Sequence, residues 1–345
     1  MKICHITWAL MTGGTETMLV DIMNEQVKEH DVCCIVINNN VSKSVAANID
    51  TRVQTFYLGR KSKPWDVWPF VKLNRLIYKI KPNVIHVHGD RTSRLILTRR
   101  IPIIRTLHST LGNGRESGRY ARICCISEAV RQYSLSQGFD GIVVYNGVKS
   151  DNILRKESYK TETSPIHIVQ VGRLEKLKGQ HLLIEAIRNL KKLGINNLFV
   201  DFIGDGSQKE ILQKQIKEAE LEDRIRLLGI KSRHYIYNHL KDYDLFVQPS
   251  LSEGFGLTIA EAMIAGVPVI CSNLEGPLEV INYGKYGMSF ESGKAKSLAE
   301  TLQKYSVSPH QIDVKAAQKF ALLHFDIKTT VAQYIDIYKS VMHEL

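Results

Sequence analysis

Residues 243–270, Y-D-L-F-V-Q-P-S-L-S-E-G-F-G-L-T-I-A-E-A-M-I-A-G-V-P-V-I, decide how the chain is read. Asp244 to Gln248 reads as a short buried strand. A Pro/Ser/Gly loop follows, then helical periodicity from about Leu257 to Ala265. Gly266 sits where a helix C′ residue belongs, and Val267 to Cys271 opens another buried strand. Glu253 lies in the loop and Glu261 one turn into the helix, with Gly254, Phe255, Gly256, Leu257 and Thr258 between them. Glycines let a ligand approach the backbone closely, and N–H groups at a helix start favour anions. Such a unit suits a ligand carrying both phosphate and sugar hydroxyls. A structural reading stands beside it, because Thr258-x-x-Glu261 is also a capping-box pattern in which Glu261 reaches back to the helix start.

Upstream, Ile166 to Val171 reads as a strand, followed by Gly172-Arg173-Leu174-Glu175-Lys176-Leu177-Lys178-Gly179 and a helix over about Gln180–Leu193. Arg173 offers a planar fork and Lys178 a point charge, the usual pair for holding a diphosphate. Solvated surface cations are the plainer alternative. Leu198 to Ile203 is a strand ending in Gly204-Asp205-Gly206, a turn suited to passing close to a nucleoside. Arg224 to Leu228 ends at Gly229-Ile230-Lys231, a turn suited to setting backbone groups against a base edge. Asp242-Tyr243-Asp244 has the D-x-D form of a metal–nucleotide motif. Its place between a helix end and a strand start favours structural roles instead. A strand at Met288–Phe290 and helices at about Ala295–Tyr305, Ile312–Leu323 and Ile327–Leu345 complete this part.

Residues 1–150 repeat the alternation. Strands are expected at Lys2–Thr7, Val32–Ile37, Val53–Leu58, Val84–Val87, Ile103–Leu107, Arg122–Ile126 and Ile142–Tyr145. Helices are expected at about Glu16–Glu29, Val67–Ile80, Thr92–Thr98 and Ser127–Gln137. Val/Ile runs separated by helices imply a parallel sheet covered on both faces. The first strand runs through a turn at Gly13-Gly14 into a helix, a layout that sets backbone donors against a phosphate or a sugar ring. A Gly pair there also serves plain turn chemistry. The turn is neither G-x-G-x-x-G nor a P-loop, which argues against dinucleotide and NTPase readings. His86, His88 and His108 fall at or near strand C-terminal ends, the edge where open α/β sheets bind ligands. No Cys, Asp or Glu set completes a metal site at recognisable spacing, so no metal is expected. His108, ahead of a loop bearing Gly112, Gly114 and Gly118, is the best candidate for a substrate contact. The polar stretch Lys149–Pro165 reads as a linker, giving domains 1–150 and 151–326, with the last helix, 327–345, joining the first domain in space.

Composition fits two soluble domains: 345 residues, 44% hydrophobic and 23% charged. No apolar run reaches membrane-spanning length, and the first residues lack a signal-peptide pattern. Six cysteines in apolar runs, without a C-x-x-C pair, suit reduced thiols and a cytoplasmic location. Residues 1–150 carry 21 Lys and Arg against 11 Asp and Glu, whereas the rest carries 25 against 24. The basic half implies an anionic partner, either phosphorylated acceptor or phospholipid surface; no nucleic-acid motif is present. Within it, Trp65, Trp68 and Phe70 precede or open a helix bearing Lys72, Arg75, Lys79 and Lys81, a composition common at anionic membranes. The competing reading is a surface helix docked through Leu73, Leu76, Ile77 and Ile80.

With these residues in view, the chain resembles the family 4 glycosyltransferases (group 1), retaining enzymes of the GT-B fold. That fold has two Rossmann-like domains whose parallel sheets face across an interdomain cleft. The matching residues are Gly13-Gly14-Thr15-Glu16, Asn146-Gly147-Val148, Val171 to Leu174 with Lys178-Gly179, Gly204-Asp205-Gly206, and Glu253 through Glu261. The resemblance implies an acceptor-binding first domain and a nucleotide-sugar-binding second one. Arg173 and Lys178 would neutralise the donor diphosphate, Glu253 would bind sugar hydroxyls and Glu261 the ribose. Gly256, Leu257 and Thr258 would offer N–H groups, Gly13 and Gly14 would abut the diphosphate, and Gly172, Gly204, Ile230, Gly254 and Phe255 would complete the donor site. His108 would stand near the donor sugar. The expected reaction moves a hexosyl unit from a UDP-, GDP- or ADP-sugar to a glycan or lipid-linked acceptor of cell-surface polysaccharide, without cofactor or metal. A nucleotide-sugar epimerase and a non-catalytic sugar-nucleotide-binding protein are the alternatives. The second of these expects gaps in a constellation that here has none.

Overall fold

β-Branched side chains dominate the short apolar runs, and they favour extended backbone because they pack well on a pleated surface. The computed structural model describes all residues except 12, 62–64, 90–91, 110–118, 160–164, 309–311 and 345. Two compact units result, Met1–Val148 with Phe325–Leu345, and Lys149–His324.

The first unit runs β1 (Lys2–Thr7), α1 (Gly14–Gln26), β2 (Asp31–Asn38), α2 (Lys43–Ala46), β3 (Gln54–Arg60), α3 (Trp68–Ile80), β4 (Val84–Val87), β5 (Ile103–Leu107), β6 (Arg122–Cys125), α4 (Glu128–Ser136) and β7 (Ile142–Val143). Its seven strands pair in parallel in the order β3-β2-β1-β4-β5-β6-β7. The second unit runs β8 (Ile166–Val171), α5 (Gln180–Lys192), β9 (Leu198–Ile203), α6 (Lys209–Glu218), β10 (Ile225–Gly229), α7 (Arg233–His239), β11 (Leu245–Gln248), α8 (Leu257–Ile264), β12 (Val269–Ser272), α9 (Glu275–Val280), β13 (Met288–Phe290), α10 (Ala295–Val307) and α11 (Val314–Phe325). Its six strands are also parallel, in the order β10-β9-β8-β11-β12-β13. Strand order reverses between β1 and β4 in one sheet and between β8 and β11 in the other. A crevice opens at such a switch point because the flanking connections leave in opposite directions.

Pleat alternation assigns the layers of the first unit. Cys4 and Ile6 pack with Leu73 and Ile77 of α3 on one face, while Ile3 packs with Met18 and Ile22 of α1 on the other. The latter face is completed by α12 (Ile327–His343), whose Ile327, Val331, Tyr334, Tyr338 and Val341 recur at helical spacing and are buried. Asp326 caps α12 by accepting the Lys328 N–H at 2.7 Å. The Val148 N–H donates to the Phe325 carbonyl at 2.8 Å and the Ile327 N–H to the Val148 carbonyl at 2.9 Å, which stitches the returning chain to the end of the first segment. Gly147 lies so close that a Cβ there would stand 2.7 Å from Ile327 Cα.

Three expected elements differ. The helix expected at Thr92–Thr98 is a single 3-10 turn, Thr92–Leu95, because the Asn74 side chain takes the Leu95 carbonyl and the Leu97 N–H, both at 2.8 Å, and turns the chain aside. The strand expected to reach Tyr145 pairs only at Ile142–Val143. The start of the stretch read as a linker is anchored on the second unit: Lys156 Nζ contacts Asp244 Oδ1 at 3.0 Å, and the Tyr159 hydroxyl donates to the Gly266 carbonyl at 3.0 Å.

Gly147→Ala is expected to push against α12 and cost about 1–3 kcal/mol, the usual range for overpacking. Chemical denaturation of the variant beside the wild type measures this; an unchanged midpoint would mean that the start of α12 yields freely.

Candidate functional site

In the second unit the candidate residues gather at the C-terminal ends of β10, β9, β8 and β11, four neighbours in the sheet. Arg173 leaves β8 with its carbonyl held by Gln180 Nε2 at 3.0 Å, and its exposed guanidinium meets Glu175 at 2.7 Å. Lys178 closes the following 3-10 turn (Lys176–Lys178), and its Nζ lies 2.7 Å from Glu253 Oε2, both side chains being largely buried. Two backbone features hold that pair. The Leu251 N–H donates to the Leu177 carbonyl at 2.8 Å. Gly179 has φ +70°, and a Cβ there would lie 1.8 Å from the Pro249 carbonyl oxygen, so only glycine lets the two loops lie back to back. At the neighbouring strand ends, a Cβ on Gly204 would stand 2.0 Å from the Gly172 oxygen, and the Gly204 N–H donates to the Gly229 carbonyl at 3.0 Å. Ile230, next in the chain, is 77% exposed.

The loop after β11 delivers Glu253, Gly254 and buried Phe255 to α8. Gly256 is the N-cap, with φ 100° and no side-chain cap, so the first-turn N–H groups of Leu257 and Thr258 receive no capping oxygen. The capping-box reading is thereby corrected. Thr258 stands two positions past the N-cap, out of register for that motif, and the Glu261 carboxylate accepts from the Tyr237 hydroxyl at 3.0 Å. Arg233 stacks on the Tyr237 ring at 4.9 Å, donates to its hydroxyl at 2.7 Å and lies 3.9 Å from Glu261. Sequence spacing missed Tyr237 and Arg233. The usable signal was the burial expected of Glu261 in an apolar helix, since a buried carboxylate demands partners. At its far end α8 closes with the expected glycine: Val267 and Gly266 N–H groups reach the Ala262 and Met263 carbonyls at 2.9 and 3.0 Å. Asp244 takes Lys156 and the His167 N–H, and Asp242 meets His239 at 2.8 Å, so both D-x-D carboxylates serve the scaffold.

In the first unit, Gly13 is the extended N-cap of α1 and Gly14 its first residue; a Cβ on Gly14 would meet nothing within 4 Å. His108 follows β5. Its Nε2 lies 3.3 Å from His88 Nδ1, and His88 Nε2 lies 3.0 Å from His5 Nδ1. His5 pairs beside His86 in the parallel register of β1 and β4, which is how a residue 83 positions from His88 joins the group. His5 Nε2 meets Gln26 Oε1 at 2.7 Å; His86 meets the Tyr338 hydroxyl at 2.6 Å and Thr106 Oγ1 at 2.7 Å. Donor atoms of His5, His86 and His88 lie within 4.8 Å of one another, a convergence the spacing argument did not foresee. Every ring nitrogen of that trio already has a hydrogen-bonding partner. Burial lowers His5 to about 4 and His86 and His88 well below the usual imidazole range, the neighbouring rings adding to the last two. His108 is lowered to about 4 by burial and by Arg105. The loop glycines Gly112, Gly114 and Gly118 lie outside the described residues, as do Thr12 and residues 62–64 of the other first-half loops.

Two family models match end to end: Glycosyltransferase Family 4 over residues 12–152 and Glycosyl transferases group 1 over residues 151–320. The chain belongs to this glycosyltransferase family. It is 34% identical over 148 residues to the amylovoran biosynthesis glycosyltransferase AmsK of Erwinia amylovora, across 41% of this chain and 36% of that one. With the lipopolysaccharide core biosynthesis glycosyltransferase LpsD of Rhizobium meliloti it shares 25% over 277 residues, 77% of this chain and 78% of the relative. Alignments with the first curated relatives span under half of their length. The Anabaena protein Alr3699/HepE, solved in complex with UDP, superposes with a TM-score of 0.81 at 19% identity, covering 99% of this chain and 100% of that one. That likeness establishes the GT-B fold. In this fold the β8 and β11 loops stand at a switch point, with the Lys178–Glu253 ion pair and the start of α8 beside it.

The buried histidines give an acid-sensitivity with a definite sign. Neutral in the fold, they bind protons near pH 6.5 once unfolded, so stability is full above that pH and is lost as pH falls towards 4. The slope contributed by His5 approaches about 1.4 kcal/mol per pH unit in that window. Denaturation midpoints of wild type and His5→Asn across pH 4–7 measure it: the variant should show a shallower dependence, and identical slopes would contradict the burial account.

Proposed function

We propose that the chain is a retaining, metal-independent hexosyltransferase that moves a sugar from a nucleotide-diphospho-sugar to a glycan or lipid-linked acceptor of cell-surface polysaccharide. The observation that carries the reading is the Lys178–Glu253 pair beside the uncapped start of α8. A sugar–diphosphate bond breaks with positive charge growing on the ring and negative charge on the departing oxygens. Lys178, the exposed fork of Arg173 and the α8 N–H groups oppose the latter charge, with the fold already holding them in position. Glu253 is released from Lys178 by the incoming phosphates and accepts from sugar hydroxyls. Glu261, oriented by Tyr237, accepts from the ribose. Gly172 and Gly204 let the ends of β8 and β9 lie close together beside the diphosphate, the backbone of Phe255 faces the sugar, and exposed Ile230 flanks the base.

Retention follows from the family resemblance, with same-face attack and the leaving phosphate taking the acceptor's proton. The UDP complex of the Anabaena protein and the polysaccharide names of AmsK and LpsD support a nucleotide-sugar donor and a glycan acceptor. No cofactor enters the scheme.

A membrane-linked acceptor is favoured by one surface. Trp65, Val67, Trp68, Val71, Tyr78 and Leu97 expose 40–81% of their area around α3, in the same region as Lys72, Arg75 and Lys79. Aromatic rings ringed by cations suit an anionic bilayer face. Among the described residues no helix is long and apolar enough to cross a membrane, so this contact would be peripheral, on the inner face of the cell membrane in a cytoplasmic protein.

Lys178→Ala should cut transfer by about 10²–10³-fold, the range for loss of one preorganised group at developing charge, while the variant stays folded. Wild-type turnover in both Lys178→Ala and Arg173→Ala would remove the diphosphate assignment. A thermal-shift screen with UDP, GDP and ADP identifies the base, and NMR of the new anomeric centre reads retention. Trp65→Ser with Trp68→Ser should weaken co-sedimentation with anionic vesicles; equal binding to neutral vesicles would count against the membrane contact.

A further inference from the structure

A neutral imidazole carries one N–H and one lone pair, so a row of hydrogen-bonded imidazoles takes a single direction once any link is fixed. In the first unit that link is Gln26, a buried amide at the end of α1. Its Oε1 only accepts and faces His5 Nε2 at 2.7 Å, which puts the proton on His5 Nε2 and leaves His5 Nδ1 bare. His88 Nε2, 3.0 Å away, therefore donates to His5, and His88 Nδ1 is bare in turn. His108 Nε2, 3.3 Å away, donates to it. His108 Nδ1 is then a lone pair, and it is buried with no hydrogen-bonding partner among the described residues.

The other arm of the same amide agrees. Gln26 Nε2 donates to the Tyr338 hydroxyl at 3.4 Å, so Tyr338 donates to His86 Nδ1 at 2.6 Å, and His86 Nε2 donates to Thr106 Oγ1 at 2.7 Å. Neutral rings satisfy every nitrogen of His5, His86 and His88 and leave only His108 Nδ1 unmatched among the four, whose centroids lie 4.1–5.5 Å from their neighbours. An ion among His5, His86 and His88 would have to break bonds that already close the account.

We propose that Gln26, acting through His5 and His88, is the positioning residue that holds His108 in its Nε2–H tautomer and presents Nδ1 as an acceptor for a substrate hydroxyl. The substrate contact rests on the reading of the chain as a sugar transferase; the tautomer does not.

Long-range proton–nitrogen correlation NMR on ¹⁵N-histidine-labelled protein, without donor, reads the tautomer directly, with His108 assigned by the signal lost in His108→Asn. Wild type should show a protonated Nε2 and a bare Nδ1 between about pH 6 and 8. Gln26→Met should turn His108 into a mixture of tautomers, while Tyr338→Phe, which spares the Gln26–His5 bond, should leave it unchanged. A protonated Nδ1 in wild type overturns the proposal, and that spectrum decides even if Gln26→Met fails to fold. An unaltered His108 pattern in a folded Gln26→Met overturns the part played by Gln26. In a transfer assay, Gln26→Met should lose about tenfold in kcat/KM, the worth of one neutral hydrogen bond. If the tautomer shifts and transfer does not, the substrate contact of His108 falls and the tautomer assignment stands.

Discussion

Parallel pairing of buried strands is the constraint on which both units depend. A parallel ladder needs a crossover for every strand, and the crossovers bury both faces of the sheet. Side chains on the strands are thereby committed to the core, and the residues free to meet a ligand are those at strand ends. Because the strands share one direction, those ends share one edge, and reversal of strand order at β1/β4 and β8/β11 divides the loops there. Gly13, His108, Arg173, Lys178 and Glu253 all follow from that geometry. None needs a special explanation of why it stands at an edge.

The sequence made most of this legible, for identifiable reasons. Runs such as Ile166–Val171 and Ile103–Leu107 are continuous, apolar and bounded by turn residues, so their strand character survives any register error. Gly266 announced the end of α8 because its left-handed conformation has few other candidates. Tertiary partners left no such trace. The 3-10 turn at Thr92 depends on Asn74, and the orientation of Glu261 on Tyr237, neither adjacent in the chain. Thr258 misled, because a capping box depends on where the helix begins, and Gly256 began it two residues early.

The histidine cluster shows the same limit from the other side. His86-x-His88 pointed both rings to one face, as alternation demands, but the third ring came from β1 through strand register. A search for ligand spacing along the chain has no access to register. The result is a set of polar groups deep in a core that would be costly unless every lone pair and proton were matched, and here helices α1 and α12 supply the matching groups. Polar satisfaction and apolar packing on that face therefore come from the same two helices.

The return of α12 to the first sheet also bears on how the molecule is made. Translation delivers β1 to β7 first, then the whole of the second unit, and only then Tyr334 and Tyr338. Until those tyrosines emerge, the Ile3–Val84–Ile104 face is covered by α1 but not by α12, and His86 lacks one of its partners. The second unit, contiguous in the chain, is free to fold on the ribosome ahead of the first. The first sheet, made before the second, is thus sealed only when α12 reaches it.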